Sequence, residues 1–188
     1  MKKISTKEKI LNSAFKLFYQ KGFHATTIDD ILKDAGLNKG SLYHIFKSKK
    51  EVLLAVINEK LAVMLKNDYG IFATVEKPLE VLEEKLLNIS FFDFKHGCPL
   101  NNLVQEMSPI DKDVAKALLQ IYNDLEQYYF LALRETSLSE QERKSFSKMM
   151  VATVEGAIMA AKAAQSKEPY IQIVTQMFKM LQPLKHPL

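Results

Sequence analysis

The chain has 188 residues, a hydrophobic content of 47%, a formal net charge of +4 and one cysteine. Its length suits one large or two small domains, and its apolar content is sufficient for a buried core. With no apolar run of about 18 residues and no apolar segment after the charged start, we expect neither a membrane span nor a signal peptide. A single cysteine excludes an internal disulfide and suits a reducing, cytoplasmic environment.

The charge is unevenly distributed along the chain. Residues 1–66 carry 13 Lys and 6 acidic residues, a net charge of +7, whereas the remainder has a net charge of −3. A basic segment joined to a mildly acidic one indicates a polyanionic partner for the first third only. The alternative interpretation is that these lysines only keep the surface soluble.

Apolar residues recur at helical spacing along nearly the whole chain, while Gly and Pro are scarce, so we predict an all-α fold of about nine helices. Ser-x-x-Glu capping boxes that begin at Ser5, Ser48 and Ser139 mark three of the helix starts. The predicted helices span residues 6–21, 28–35, 39–46, 48–67, 78–94, 100–107, 111–135, 139–165 and 170–181.

The segment 26–50 has the pattern of two short helices joined by a tight turn at Gly36. This pattern is typical of a helix-turn-helix, whose second helix lies in the DNA major groove. Gly40 costs about 1 kcal/mol relative to alanine inside that helix. We therefore expect either a close backbone approach at Gly40 or a tolerated local weakness.

We predict two domains joined by a long helix. Residues 1–50 form a helix-turn-helix DNA-binding domain of three helices, and the helix at about 48–67 is the link. Residues 68–188 form a helical domain for ligand binding and dimerisation. The boundary is placed where Gly70 and Pro78 interrupt the helical pattern.

Many residues of the first third fall in the order of a known pattern. They are Ala14, Leu17, Phe18, Gly22, Thr26, Thr27, Ile31, Ala35, Gly36, Gly40, Leu42, Tyr43, Phe46, Ser48, Lys49 and Leu53. This part of the chain resembles the N-terminal domain of the TetR (tetracycline-repressor) family of transcriptional regulators. One departure is Ile45, where the family often has a histidine, while His44 lies one residue earlier. The segment GCPLNNL at 97–103 resembles the YxaF/LmrA/AcuR-like branch of that family.

The resemblance implies a transcriptional regulator, most simply a repressor, that binds a palindromic operator in double-stranded DNA as a homodimer. It also implies a variable ligand-binding and dimerising body. The aromatic residues predicted for that body favour release from DNA by a small, largely apolar effector, and we expect no cofactor and no metal. DNA affinity requires donors aimed at phosphates, and specificity requires side chains at base edges. The DNA-binding residues that we predict are Thr27, Asn38, Lys39, Gly40, Ser41, Leu42, Tyr43, His44, Lys47 and Lys49.

Two further groups of residues are predicted in the C-terminal part. The effector-binding residues that we expect are Phe91, Phe92, Phe94, Asn101, Asn102, Gln105, Met107, Tyr122, Tyr129, Phe130 and Met149. The dimer-interface residues that we expect are Val151, Ala152, Gly156, Ile158, Ala160, Phe178 and Leu181. For both groups the alternative is that the side chains only fill the core of the domain.

Other functions have little support in the sequence. No nucleophile–base pair, phosphate-binding glycine loop or metal-ligand spacing is recognisable, so we do not expect an enzyme. Cys98 lies beside Lys95 and His96, cations that could activate a thiol for redox sensing, or the cysteine is a small apolar filler. His96 and Cys98 alone are too few ligands for a metal site. A helical adaptor with a vestigial helix-turn-helix is the remaining alternative.

Overall fold

The computed structural model describes residues 4–182, except for the side chain of Phe91, and all regular secondary structure in that range is helical. The all-α prediction is therefore confirmed for the described residues. The helices are α1 (Thr6–Lys21), α2 (Ile28–Ala35), α3 (Lys39–Tyr43), α4 (Lys49–Val56), α5 (Ala62–Tyr69), α6 (Pro78–Leu87), α7 (Pro99–Met107), α8 (Lys112–Ala132), α9 (Glu140–Ala164) and α10 (Glu168–Leu181). A π-helical turn, Ile57–Leu61, joins α4 to α5 without interruption. Among the described residues, no helix has both the length and the apolar content needed to cross a membrane.

The chain forms two compact units, and each contains two segments of the sequence. The first unit comprises the residues up to Met64 and Pro99–Ile121, and the second comprises Leu65–Cys98 and the residues from Tyr122 onward. This division differs from the linear split near residue 68 that we predicted. Helix α7 and the start of α8 pack with the N-terminal helices, through contacts that the hydrophobic pattern does not encode.

The first unit has its core between α1, α2, α3 and α4. Ile10, Ile31 and Leu42 are fully buried, and the Phe18 and Phe23 rings lie 5.4 Å apart between their centroids. Apolar residues at helical spacing on each short helix supply this core, as the sequence pattern predicts.

Three helices end at least three residues earlier than predicted: α3, α6 and α8, the last at Ala132 rather than at residue 135. Helix α3 ends at Tyr43 because the amides of Ile45 and Phe46 both bond to the Leu42 carbonyl, which tightens the chain into a turn. Helix α6 ends at Leu87 because the Asn88 side chain accepts hydrogen bonds from the amide and hydroxyl of Ser90. Such local bonds from Asn compete with helix continuation.

The second unit is organised around the contact of α9 with α10. The buried hydroxyl of Tyr170 on α10 donates a 2.8 Å hydrogen bond to the carbonyl of Leu86 on α6. The Arg134 guanidinium donates to the carbonyls of Phe72 and Val75, just after α5. These bonds satisfy backbone groups at helix ends, which would otherwise lack partners.

The α1–α2 turn, residues 22–27, is held by a lysine of α4. The Lys49 ammonium donates 2.8 Å hydrogen bonds to the carbonyls of Phe23 and Thr26, and it lies 4.2 Å from the centre of the Phe23 ring. Burial lowers the pKa of Lys49 below its usual value, and the negative charge of Glu106 offsets part of this decrease. Our prediction that Lys49 contacts DNA is corrected here, because two of its three N–H groups donate to carbonyls of the turn and its ammonium lies over the Phe23 ring.

We expect Lys49→Met to lower the free energy of unfolding by about 1–3 kcal/mol, because two carbonyls lose a charged hydrogen-bond donor. Lys47→Met is the matched control, since the Lys47 side chain is exposed, and it should change stability by less than about 0.5 kcal/mol. Urea unfolding of the full chain measures both. Equal stability of the two variants would contradict the anchoring role of Lys49.

Candidate nucleic-acid interface

Helix α3 presents a polar face that is fixed at its start by a cap. The Asn38 side chain accepts hydrogen bonds from the amide of Ser41 at 3.0 Å and from its hydroxyl at 3.1 Å. Next along the helix, Leu42 is fully buried whereas Tyr43 is 54% exposed. The buried leucine holds the helix in place, and the opposite face is left to contact a partner.

Gly40 lies on this exposed face. A Cβ atom built there would meet only the Asn38 side chain, at an ordinary contact distance of 3.4 Å. Because this spacing is unstrained, packing inside the protein gives no reason for glycine at this position. The absence of a side chain leaves the backbone of α3 open to close approach from outside.

The start of α2 is capped within the protein. The Thr27 hydroxyl accepts from the Asp30 amide at 3.0 Å, while the Asp30 carboxylate accepts from the Thr27 amide and hydroxyl at 2.9 Å each. These bonds from Thr27 lower the pKa of Asp30. Our prediction that the Thr27 amide holds a phosphate is corrected, because Asp30 already accepts that N–H.

Lys39, the first residue of α3, has a weak partner in the protein. Its ammonium lies 3.1 Å from the Asp29 carboxylate, and both side chains are 68% exposed. Exposed ion pairs contribute about 0–1 kcal/mol. A phosphate or a base edge could therefore replace Asp29 at little cost.

The predicted DNA-binding residues are mostly on the surface of the first unit, with two exceptions. Those that are exposed or half-exposed are Thr27, Asn38, Lys39, Gly40, Ser41, Tyr43, His44 and Lys47. Leu42 is fully buried and belongs to the core, so its assignment to the interface was wrong. Lys49 is the second exception: it is half-exposed, but its ammonium bonds to the α1–α2 turn, as described above.

The predicted effector residues are divided between the two units. Asn101, Asn102, Gln105 and Met107 lie on α7 in the first unit, so they do not belong to a pocket formed by the second unit alone, as we had predicted. Phe92, Phe94, Tyr122, Tyr129 and Phe130 lie in the second unit, as does the backbone of Phe91, whose side chain is outside the described set. Met149 is 46% exposed, which corrects its placement inside a pocket.

The interior of the second unit contains an aromatic cluster with polar tips. The Tyr69 ring centre lies 5.9 Å from that of Tyr129, and the Tyr170 ring centre lies 4.8 Å from Phe92 and 5.1 Å from Phe94. Burial raises the pKa of Tyr69, Tyr129 and Tyr170, and the nearby Glu155 carboxylate reinforces this effect. These phenols therefore stay neutral and are able to donate hydrogen bonds.

The predicted dimer residues on α9 and α10 differ in exposure. Val151, Ile158, Phe178 and Leu181 are buried within the described chain, which corrects our expectation that they supply exposed apolar area. Ala152 and Gly156 are exposed, and Ala160 is half-buried. A groove of about 550 Å³ lies on the same helices, and we call it the α9–α10 groove. Its lining residues are Phe146, Met149, Thr153, Gln172, Ile173, Gln176, Met177, Met180 and Leu181.

Several residues that the sequence interpretation missed are central to these sites. Glu106 contacts the α1–α2 turn, and Glu155 is a buried carboxylate, only 8% exposed, among the tyrosines of the second unit. For Glu155, the one signal in the sequence was an acidic residue within an otherwise apolar helical stretch. Nothing in the sequence indicated the partners of Glu106. Within the described residues, no cluster of three His, Cys, Asp or Glu side chains could hold a metal ion.

Residues 10–56 match the family described as bacterial regulatory proteins of the TetR family, and residues 73–176 match the LmrA/YxaF-like transcriptional regulator C-terminal domain. An uncharacterised HTH-type transcriptional regulator from Lactococcus lactis subsp. lactis is 35% identical, over 86% of this chain and 85% of the relative. The HTH-type transcriptional regulator LmrA of Bacillus subtilis (strain 168) is 29% identical, over 89% of this chain and 92% of the relative.

The fold is shared with solved structures as well. A TetR transcriptional regulator from Legionella pneumophila superposes with a TM-score of 0.85 at 16% identity, over 96% of this chain and 99% of the other. At 16% sequence identity, this structural similarity establishes the fold alone. The sequence matches establish more: they cover both the helix-turn-helix and most of the C-terminal part, and the matched proteins are regulators rather than enzymes. The chain belongs to the TetR family of bacterial transcriptional regulators, in its LmrA/YxaF-like branch.

Proposed function

We propose that this regulator is a cytoplasmic repressor that binds a palindromic operator through the exposed face of α3. The observation that carries the proposal is the contrast between the buried Leu42 and the exposed Tyr43 on a helix whose start is capped by Asn38. This arrangement gives a helix with a fixed start and an outward-facing polar side, as a helix placed in a DNA major groove requires.

The residues of this surface have separate roles in the proposal. Lys39 and Ser41, with the open backbone at Gly40, approach base edges near the start of α3. Tyr43 contacts a phosphate or a thymine methyl group, and Lys47 contacts the phosphate backbone. Phosphate contacts set the position on the duplex, while base contacts select the sequence. Occupation of a promoter by the bound protein then excludes other proteins from the same DNA.

The operator is identified by selecting bound duplexes from genomic fragments with the purified full chain. We expect Tyr43→Ala to weaken operator binding by about 1–3 kcal/mol without changing the unfolding temperature, since this side chain is 54% exposed. Leu119→Ala is the matched control, because Leu119 is a 59% exposed apolar residue on α8. Operator affinity unchanged by Tyr43→Ala, measured by fluorescence anisotropy, would refute the assignment of this face.

A second copy of the chain is the proposed occupant of the α9–α10 groove. One helix-turn-helix contacts few base pairs, and two-fold pairing doubles the contact and matches a palindromic site. Ile173 and Met180 in the groove are 37% and 68% exposed, and exposed apolar area of this kind stabilises a dimer when it is buried. The predicted residues Ala152, Gly156 and Ala160 on α9 would allow close approach of the partner helix.

We expect the double variant Ile173→Glu/Met180→Glu to raise the dimer dissociation constant by at least about tenfold, because two carboxylates would be buried in an apolar contact. Ile71→Glu is the control: Ile71 is 51% exposed in the same unit and does not line the groove. Sedimentation equilibrium measures both. A wild-type chain that remains monomeric at micromolar concentration would exclude this dimer.

The interior of the second unit is the proposed effector site. The aromatic rings of this interior supply apolar contacts, and the hydroxyls of Tyr69 and Tyr129 with the Glu155 carboxylate supply polar groups, while the Tyr170 hydroxyl already donates to the Leu86 carbonyl. An apolar wall with a few polar groups fits a small, largely apolar ligand. Such an effector releases DNA only to the extent that it binds the DNA-free conformation more tightly.

We expect a panel of aromatic and aliphatic compounds to include at least one that both raises the unfolding temperature and weakens operator binding. Tyr129→Phe should reduce the thermal shift by that compound while leaving operator affinity in its absence unchanged, because only a buried hydroxyl is removed. Thermal-shift and gel-shift titrations measure the two effects. Compounds that stabilise the chain equally in both variants would place the effector elsewhere.

A further inference from the structure

The helix-turn-helix is held at both ends by the segment that contains α7 and the start of α8. Before α2, the Glu106 carboxylate accepts hydrogen bonds from the amides of Phe23 at 2.8 Å and His24 at 2.7 Å. After α3, the Lys50 ammonium lies 2.9 Å from Asp111 and 2.7 Å from Asp113. Both the entry into α2–α3 and the exit from it are therefore tied to one helical corner of the same unit.

The Glu106 carboxylate leaves no room for a side chain at Gly22 of the turn. Gly22 has a φ of +84°, and a Cβ atom at this position would lie 3.0 Å from a Glu106 carboxylate oxygen. The carboxylate thus approaches the turn backbone as closely as glycine permits. On the same turn, the Lys49 ammonium donates to the carbonyls of Phe23 and Thr26. The turn amides are therefore bound by a negative group, Glu106, and the turn carbonyls by a positive one, Lys49.

We propose that Glu106 is a positioning residue that sets which operator half-site spacing this regulator accepts. The inference rests on the proposed operator binding as a dimer. Each added base pair moves a half-site by about 3.4 Å along the duplex and rotates it by about 35°. The Glu106 bonds limit how far the helix-turn-helix can turn against α7 toward the displaced groove. Without them, only the partly exposed Lys50 pairs with Asp111 and Asp113 tie it to this corner.

This role differs from that of the DNA-contacting residues, because Glu106 acts only through the turn. Loss of the carboxylate should leave the face of α3 intact and preserve affinity for one isolated half-site. What it should change is the difference in affinity between operators of different spacing. A loss of folding in the helix-turn-helix would instead weaken half-site binding together with full-site binding.

The test compares the wild-type full chain with Glu106→Ala and Glu106→Gln on the selected operator, on versions with one base pair added or removed between half-sites, and on a single half-site. Glu84→Gln, an exposed carboxylate on α6, is the matched control. Circular dichroism melting establishes that each variant is folded. If Glu106→Ala fails to fold, Glu106→Gln decides, since it keeps the side-chain shape and loses one of the two acceptor oxygens.

We expect the wild type and Glu84→Gln to prefer the selected spacing by at least about tenfold. The Glu106 variants should reduce this preference to within about threefold while half-site affinity changes by less than about twofold. Glu106 variants that keep the wild-type preference would overturn the inference and leave the proposed function standing. Half-site affinity lost in parallel with full-site affinity would also overturn it. A wild type that selects no operator would instead overturn the proposed function.

Discussion

The six-residue turn between α1 and α2 is the constraint on which the first unit depends. It must reverse the chain, begin α2 at a capped threonine and contact α7, and its glycine at positive φ allows all three. Its polar backbone groups are bound by Glu106, Lys49 and the Thr26 hydroxyl, which donates to the Gly22 carbonyl at 2.7 Å. A turn whose backbone groups are bonded in this way resists deformation. It therefore fixes where α2 begins and, through α2, the position of α3.

The sequence predicted helix positions well because the features that decide them are local. Ser5, Ser48 and Ser139 were recognisable as caps, and each accepts the expected backbone bond. The ends of α3 and α6 were placed too late, because the apolar spacing continues past the point where the backbone leaves the helix. At Asn88 the cause is a side chain that bonds to its own backbone region, which periodicity does not report.

Long-range relationships were beyond sequence interpretation. Lys47 and Lys49 are both lysines and lie two positions apart. Lys49 nevertheless binds two carbonyls, whereas the Lys47 side chain is exposed. Glu106 and Phe23 are 83 residues apart, and no local pattern links them. For the same reason the predicted effector residues on α7 were assigned to the wrong unit, and buried residues of α9 and α10 were mistaken for surface ones. Helical spacing identifies an apolar face but not the element that covers it.

Charge in the first unit serves two purposes, and burial separates them. The ammonium of Lys49 is partly desolvated, so its bonds to the turn carbonyls persist as salt is added. The Lys39–Asp29 pair is open to water, and salt screens it as strongly as it screens a phosphate contact. Salt therefore weakens the exposed Lys39–Asp29 pair before it weakens the bonds of Lys49. The proposed DNA binding can therefore weaken over a range of ionic strength in which the Lys49 bonds still hold the α1–α2 turn.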